Sequence, residues 1–125
     1  MRKIIFLFIL ISSLSCKKVW FDYTNKYTGN FEFTVYQMYF DASTGVRNDT
    51  TYVYNGIIKR IKRGQIRIKY GSRANEYYNV DIDKDGEFSQ GYLGGKFSDN
   101  DHVTISNSSG GNGGGTRTHI IGIRR

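Results

Sequence analysis

Apolar and polar side chains alternate along this chain with the period of a β-strand, and this pattern most constrains its fold. The alternation is strict over residues 66–70, where Ile66 and Ile68 share one face while Arg67 and Lys69 take the other. Beyond residue 16, apolar residues do not recur at helical spacing for three turns anywhere in the sequence. Residues 30–40 repeat the strand period through Phe31, Phe33, Val35 and Tyr39. We therefore predict an all-β fold.

Short connections join the predicted strands. A hairpin is expected across residues 62–65, and a second across the Asp-Gly turn at Asp85 and Gly86. Gly56 is interpreted as a bulge, Gly94 and Gly95 as a bend, and residues 110–115 as a flexible connection. These features predict one antiparallel meander of about seven strands, closed as a small barrel or folded as a sandwich. The predicted strands cover residues 30–40, 50–61, 66–70, 76–83, 87–92, 101–107 and 116–124.

The first fifteen residues have the anatomy of a secretory signal peptide. Arg2 and Lys3 precede an uncharged apolar run over residues 4–11, and small or apolar residues follow up to Cys16. This run is far shorter than the roughly 18 to 20 residues that a membrane-spanning helix needs. Residues 1–15 are therefore predicted to be a removed signal peptide.

Cys16 carries a resemblance to a known protein class. Leu14, Ser15, Cys16 and Lys17 resemble the lipobox of bacterial lipoproteins, although Ser13 stands where those proteins usually have leucine. The resemblance implies cleavage before Cys16 and lipid attachment to its thiol, with more than one acyl chain providing a durable anchor. The expected organisation is a lipidated N-terminus and tether over 16–29, followed by one β domain over 30–125. We expect the protein on a membrane of the bacterial cell envelope, the outer membrane in particular.

A shorter resemblance lies at the entry to the first predicted strand. Tyr27, Gly29 and Phe31 are similar to the glycine and aromatic that open the first strand of lipocalins, with phenylalanine in place of the usual tryptophan. This resemblance implies a barrel that binds a small apolar ligand inside. Its cavity would be lined by Phe31, Phe33 and Val35.

The chain is basic, and its cations are clustered. Its 18 lysines and arginines exceed its 11 acidic residues, giving a net charge of +7. A chain without Arg2 and Lys3 has 16 basic and 11 acidic side chains, a net charge of +5. A basic cluster is typical first of a solvated hairpin that prevents edge-to-edge strand pairing, and the alternative is binding to an anionic surface or an envelope protein. A nucleic-acid partner is not expected for an exported protein. The clustered cations are Lys59, Arg60, Lys62, Arg63, Arg67 and Lys69.

The sequence contains one candidate cation site and few groups suited to catalysis. Asp81, Asp83 and Asp85 alternate before a glycine turn, but Tyr92 replaces the closing glutamate of a calcium loop. The same spacing is typical of a solvent-facing strand that leads into a turn, so no metal site is predicted. His102 and His119 are the only histidines, and nothing in the sequence supplies a nucleophile, a base and an orienting group together. Neither enzyme activity nor a cofactor is expected.

These observations predict a lipid-anchored β domain of the cell envelope with a binding or structural accessory role and no catalysis. Three alternatives remain at this point, and the last of them is a hydrolase that would require Glu32, Glu76 and Glu87 to converge around a cleft. The first is a lipocalin-like binder of a small apolar ligand. The second is an inhibitor or partner of an envelope enzyme that acts through the basic hairpin 59–69.

Overall fold

The computed structural model describes residues 22–125, and the predicted signal peptide and Cys16 lie outside these residues. The described chain is all-β, as predicted, with eight strands in place of about seven. A 3-10 helix, Tyr23–Tyr27, precedes them. The strands are β1 (Gly29–Asp41), β2 (Val46–Lys62), β3 (Gln65–Lys69), β4 (Tyr77–Asp81), β5 (Glu87–Gln90), β6 (Leu93–Ser98), β7 (His102–Gly111) and β8 (Gly114–Arg124).

All eight strands belong to one antiparallel meander. Their order in the sheet is β4-β3-β2-β1-β8-β7-β6-β5, so the first and last strands pair in the middle. The end strands β4 and β5 are joined by a short turn, in which the Asp83 amide donates to the Glu87 carbonyl over 3.0 Å. The sheet therefore curls into a nearly closed barrel. Of the two predicted closures, the barrel is observed and the sandwich is not.

The barrel core is packed around the inward-facing side chains of β1. Phe33 is fully buried and lies between two glycines, Gly56 and Gly122. A Cβ atom at Gly56 would lie 2.0 Å from the Lys69 carbonyl oxygen and 2.8 Å from the Phe33 ring. The buried apolar residues are Tyr27, Phe31, Phe33, Val35, Ile58, Ile66, Ile68, Tyr70, Val80, Ile82, Phe88, Phe97, Val103, Ile105 and Ile120.

The predicted bulge at Gly56 is wrong. Gly56 pairs in regular register with Phe31, and the register of β2 shifts between Arg60 and Lys62 instead. The glycine is present because the backbone of β3 and the Phe33 ring leave no room for a side chain.

Two further glycine interpretations are also wrong. Gly94 and Gly95 lie inside β6, the strand that the sequence prediction missed. A Cβ atom at Gly95 would lie 2.2 Å from the Phe88 ring, so this position accommodates a neighbouring aromatic side chain. The predicted flexible connection over 110–115 is a tight hairpin, since β7 continues to Gly111 and β8 begins at Gly114.

The 3-10 helix closes one end of the barrel. Tyr27 and Thr24 are both buried, and the Thr24 hydroxyl accepts a 2.7 Å hydrogen bond from the Gly64 amide. Asp22 caps the helix by accepting from the Thr24 amide over 3.0 Å and from Arg60 Nε over 2.6 Å. Residues 22–27, which lie inside the segment predicted as tether, therefore pack on the barrel.

Arg124 fastens the last strand to this closed end. Its Nε donates to Asp101 over 2.9 Å, and its Nη2 donates to the carbonyls of Lys26 and Asn100 over 2.7 and 2.9 Å. Its Nη1 donates to the carbonyl of Thr28. The guanidinium carbon also lies 5.0 Å from the centre of the Phe31 ring. One side chain thus joins β8, the 3-10 helix and the core.

At the other end, four strands continue beyond the core. We call residues 36–51 and 106–119 the distal arm; it contains the ends of β1, β2, β7 and β8 and the two hairpin turns that join them. No residue of the distal arm is buried. Separately, none of the helices within residues 22–125 has the length and apolar character needed to cross a membrane.

Candidate functional site

The predicted cations divide into two groups. Lys59 on β2 and Arg67 on β3 are directly opposite each other, and Lys69 is two residues further along β3. Positions of equal parity in neighbouring strands share a face, so these three side chains lie together on the outside of the barrel. We call Lys59, Arg67 and Lys69 the outer cationic face.

Arg67 is held in place within the outer cationic face. Its Nε donates to the Asn79 side-chain oxygen over 2.8 Å, and its guanidinium carbon lies 4.9 Å from the centre of the Tyr77 ring. Within residues 22–125, no member of the face forms an ion pair with a carboxylate. Like charges directly opposite in a ladder destabilise it, so a bound anion would relieve repulsion between Lys59 and Arg67.

The other three predicted cations lie elsewhere. Arg60 forms a 2.6 Å ion pair with Asp22 at the closed end of the barrel. Lys62 and Arg63 are exposed at the turn between β2 and β3. The six cations are therefore not a single site, and Arg60 has a structural role in holding the 3-10 helix.

The three aspartates do not converge on a common point. Asp83 Oδ1 accepts from the amides of Asp85 and Glu87, each over 2.9 Å, and so shapes the turn between β4 and β5. Asp81 Oδ1 accepts from Gln65 Nε2 over 3.1 Å. Across the described chain, no group of three histidine, cysteine or acidic residues is placed to hold a metal ion.

The histidines are far apart in the sheet ladder. His102 starts β7 opposite Ile123, whereas His119 lies opposite Tyr36 in the distal arm. His119 Nδ1 is 3.2 Å from the Ser106 hydroxyl oxygen. No carboxylate of residues 22–125 hydrogen-bonds to His119, so this pair has no acidic group to orient the imidazole.

The barrel interior is occupied by protein side chains. Phe31, Phe33 and Val35, which were expected to line a ligand cavity, are no more than 1% exposed. Toward the distal arm, the Tyr70 and Tyr78 rings stack with centres 4.7 Å apart. Burial, with a hydrogen bond to Tyr78, raises the pKa of the Tyr70 hydroxyl far above its ordinary value. An apolar ligand inside the barrel would have to displace this packed core.

A groove on the distal arm was not found from the sequence. It consists of two adjoining cavities of about 620 and 560 Å³. Tyr36, Met38 and Phe40 alternate along β1 on the face opposite the core residues, and Tyr92 projects from the turn between β5 and β6. The residues that line both cavities are Met38, Arg47, Tyr92, Ser108 and Arg117.

Charged and polar side chains surround Met38 in this groove. Arg117 of β8 and Asp49 of β2 are its direct cross-strand neighbours. Asp49 pairs with Arg47 over 3.1 Å, and this hydrogen-bonded pair raises the pKa of the Arg47 guanidinium. Arg117 forms no ion pair within residues 22–125.

One sequence signal could have indicated this groove. Phe31, Phe33 and Val35 already supply β1 with an apolar face, yet the alternate positions 36, 38 and 40 are also apolar or aromatic. A half-buried strand needs only one such face. A second apolar face therefore indicates a surface with another purpose.

No model of a known protein family matches this chain, and comparison with curated proteins finds no match either.

Proposed function

We propose that this protein is a lipid-anchored accessory protein of the bacterial cell envelope that binds an anionic partner and has no catalytic activity. The observation that supports binding is the outer cationic face, in which Lys59, Arg67 and Lys69 lie together without a carboxylate partner in the described chain. Asn79 and Tyr77 orient Arg67 in advance, which reduces the entropy lost when an anion binds.

The anchor is supported by the N-terminal sequence. The basic residues, the apolar run and Cys16 follow the order of a lipoprotein signal segment. Intact mass spectrometry of the protein expressed in a Gram-negative host tests this point. We expect the wild type to lack residues 1–15 and to carry added acyl mass, and Cys16→Ser to carry none. An unmodified Cys16, or a Cys16→Ser variant that stays membrane-bound like wild type, would contradict the anchor.

Anion binding is tested by elution from immobilised polyphosphate with a salt gradient. Lys59→Glu with Arg67→Glu should elute at clearly lower salt than the wild type, because both changes fall on the outer cationic face. The matched control is Lys62→Glu with Arg63→Glu, which alters net charge equally at the turn. If the two double variants elute at the same salt concentration, retention reflects net charge alone and the proposed face is wrong.

The same pair of variants distinguishes the sources of anionic groups. Cosedimentation with phosphatidylglycerol vesicles tests a lipid surface, and crosslinking in intact cells tests an acidic envelope protein. We expect the variant of the outer cationic face, and not the turn variant, to lose whichever of these contacts the wild type makes. Crosslinking to an envelope enzyme would support the alternative of an inhibitor or partner that acts through hairpin 59–69.

A further inference from the structure

The distal arm exposes aromatic side chains that fold stability does not explain. Tyr36 and Phe40 are each 43% exposed, and Tyr92, which lies beside the arm in the turn between β5 and β6, is 83% exposed. Tyr36 and Phe40 flank Met38 on one face of β1, and Met38 and Tyr92 both line the two cavities of the groove. Clustered exposed apolar surface rimmed by polar groups is typical of a binding site.

Polar groups alternate with these apolar surfaces across the strands. His119 and Thr51 lie on either side of Tyr36, and Arg117 and Asp49 lie on either side of Met38. The ion pair between Arg47 and Asp49 leaves Arg117 as the unneutralised cation of the groove. The groove therefore combines apolar faces, hydrogen-bonding side chains and one excess positive charge.

The floor of the groove presents side chains and no free strand edge. β1 is hydrogen-bonded to both β2 and β8, and β8 is hydrogen-bonded to both β1 and β7. A peptide cannot add to these strands as a further strand, because their backbone groups are already paired. A ligand that lies over β1 and β8 is therefore recognised through side-chain faces and their polar ends. Within residues 22–125, a free strand edge beside the groove is offered by residues 46–56 of β2, which pair with β1 but not with β3.

We propose that the groove on the distal arm binds an acidic oligosaccharide. Sugar rings present C–H faces that pack on Tyr36, Met38 and Phe40, and aromatic ring faces attract the partial positive charge of those hydrogens. Hydroxyl groups of the sugar pair with His119, Ser106 and Asp49, which offer both donors and acceptors. A sugar carboxylate pairs with Arg117, as a charge-assisted hydrogen bond.

The size of the groove agrees with this ligand class. Each cavity, at about 620 and 560 Å³, lies within the range of small-molecule sites, and the two adjoin. An extended ligand of several rings therefore fits better than a single compact one. The lining of the groove includes no member of the outer cationic face, so the ligand proposed for the groove is tested separately from the anion binding proposed for that face.

The test uses the full chain, purified in detergent, on an array of uronic-acid and sialic-acid oligosaccharides. Each acidic oligosaccharide is accompanied by its carboxyl-reduced neutral form, and oligoglutamate of equal charge represents an acidic peptide. We expect at least one acidic oligosaccharide to bind, and its reduced form and oligoglutamate to bind at least tenfold more weakly.

Matched variants locate the bound saccharide on the arm. Tyr36→Ala and Arg117→Ala should each weaken binding about tenfold or more, a loss of roughly 1.4 kcal/mol in binding free energy. The control for the first is Tyr39→Ala, which is 46% exposed but lies on the opposite face of β1. The control for the second is Arg63→Ala at the distant turn, and both controls should bind like the wild type.

Several results would overturn the proposal. Binding to no oligosaccharide on the array, or equal binding to the reduced forms, would remove the acidic saccharide as ligand. Stronger binding to oligoglutamate would assign the groove to an acidic peptide instead. Equal losses in Tyr36→Ala and Tyr39→Ala would show that the saccharide does not lie on the proposed face.

Discussion

The four strands of the distal arm also run through the eight-stranded barrel, yet the arm and the closed end of the barrel differ in how their side chains are used. In the first half of β1, Phe31, Phe33 and Val35 are buried, whereas in its second half Tyr36 and Phe40 are 43% exposed. The pairing of the strands continues without a break from one half to the other. The comparison shows that regular backbone pairing holds the arm in place, so its side chains are available for contacts outside the chain.

The largest expected difference between the two regions concerns phenylalanine truncation. Phe33→Ala removes a ring that is packed between two glycines and should lower the free energy of unfolding by about 3 to 5 kcal/mol. Phe40→Ala in the distal arm should lower it by less than about 1 kcal/mol, because the ring is already largely hydrated. Urea denaturation followed by near-UV circular dichroism measures both. Equal losses would mean that the arm is part of the core.

Glycine-to-alanine substitutions should also destabilise the fold more in the barrel than in the distal arm. Gly56→Ala places a Cβ atom against the Lys69 carbonyl and should destabilise the fold by about 1 to 3 kcal/mol. Gly113→Ala, at the tip of the arm, meets nothing within 4 Å and should change stability by less than about 0.5 kcal/mol. Thermal unfolding of the two variants gives the comparison, and a neutral Gly56→Ala would contradict the close packing of β2 on β3.

Replacing arginine by lysine should also change the free energy of unfolding more at the closed end than in the distal arm, but by a smaller amount than the changes above. Arg124→Lys keeps the charge but cannot reproduce the several hydrogen bonds of the planar guanidinium, so we expect a loss of about 1 to 2 kcal/mol in unfolding free energy. Arg117→Lys, in the groove, should be nearly neutral for stability. Denaturant titration at constant salt tests both variants, and a neutral Arg124→Lys would show that the guanidinium contacts do not fasten β8.

The smallest expected effect is a pH-dependent contribution to stability from a carboxylate at the closed end of the barrel. Hydrogen bonds from Thr24, together with the ion pair to Arg60, lower the pKa of Asp22 below its ordinary value of 3.8. A lowered folded-state pKa contributes stability that is fully present well above 3.8 and is lost as the pH falls through the folded-state value. Asp22→Asn should therefore be less stable than the wild type at neutral pH, and the difference should shrink in acid.

The control for this measurement is Asp49→Asn in the distal arm. Its ion pair with Arg47 is exposed to solvent, so the substitution should leave stability nearly unchanged at either pH. A difference between wild type and Asp22→Asn that stays constant from neutral to acid pH would remove the carboxylate of Asp22 as its cause.

The sequence predicted the fold class because the strand period is strong where the core is formed. Residues 66–70 alternate strictly, and residues 30–40 keep apolar side chains at alternate positions except at Gln37. Both segments are observed as strands, β3 and β1, with little change of boundary. β6 was missed because Gly94 and Gly95 have poor strand propensity. Their place in the sheet depends on the Phe88 ring, which occupies the space that a side chain at Gly95 would need.

The groove and the division of the cations depend on register, which the sequence does not contain. His119 lies beside Tyr36 because β8 returns to pair with β1, and no local pattern specifies that alignment. Likewise, Lys59 meets Arg67 only through the β2–β3 ladder, whereas Arg60, the next residue of β2, forms its ion pair with Asp22. Local periodicity thus predicts strands, and long-range pairing determines sites.

The pairing of β1 with β8 in the middle of the sheet also has a consequence for the order of folding. Glu32 and Arg125 form an ion pair although they are 93 positions apart in the chain. β1 can pair with β2 as soon as both have left the ribosome, but its other edge stays open until the last strand arrives. Closing so long a loop costs more entropy than forming local hairpins, so this step should limit the folding rate. Until then the open edge of β1 is the region most exposed to aggregation and most in need of a chaperone.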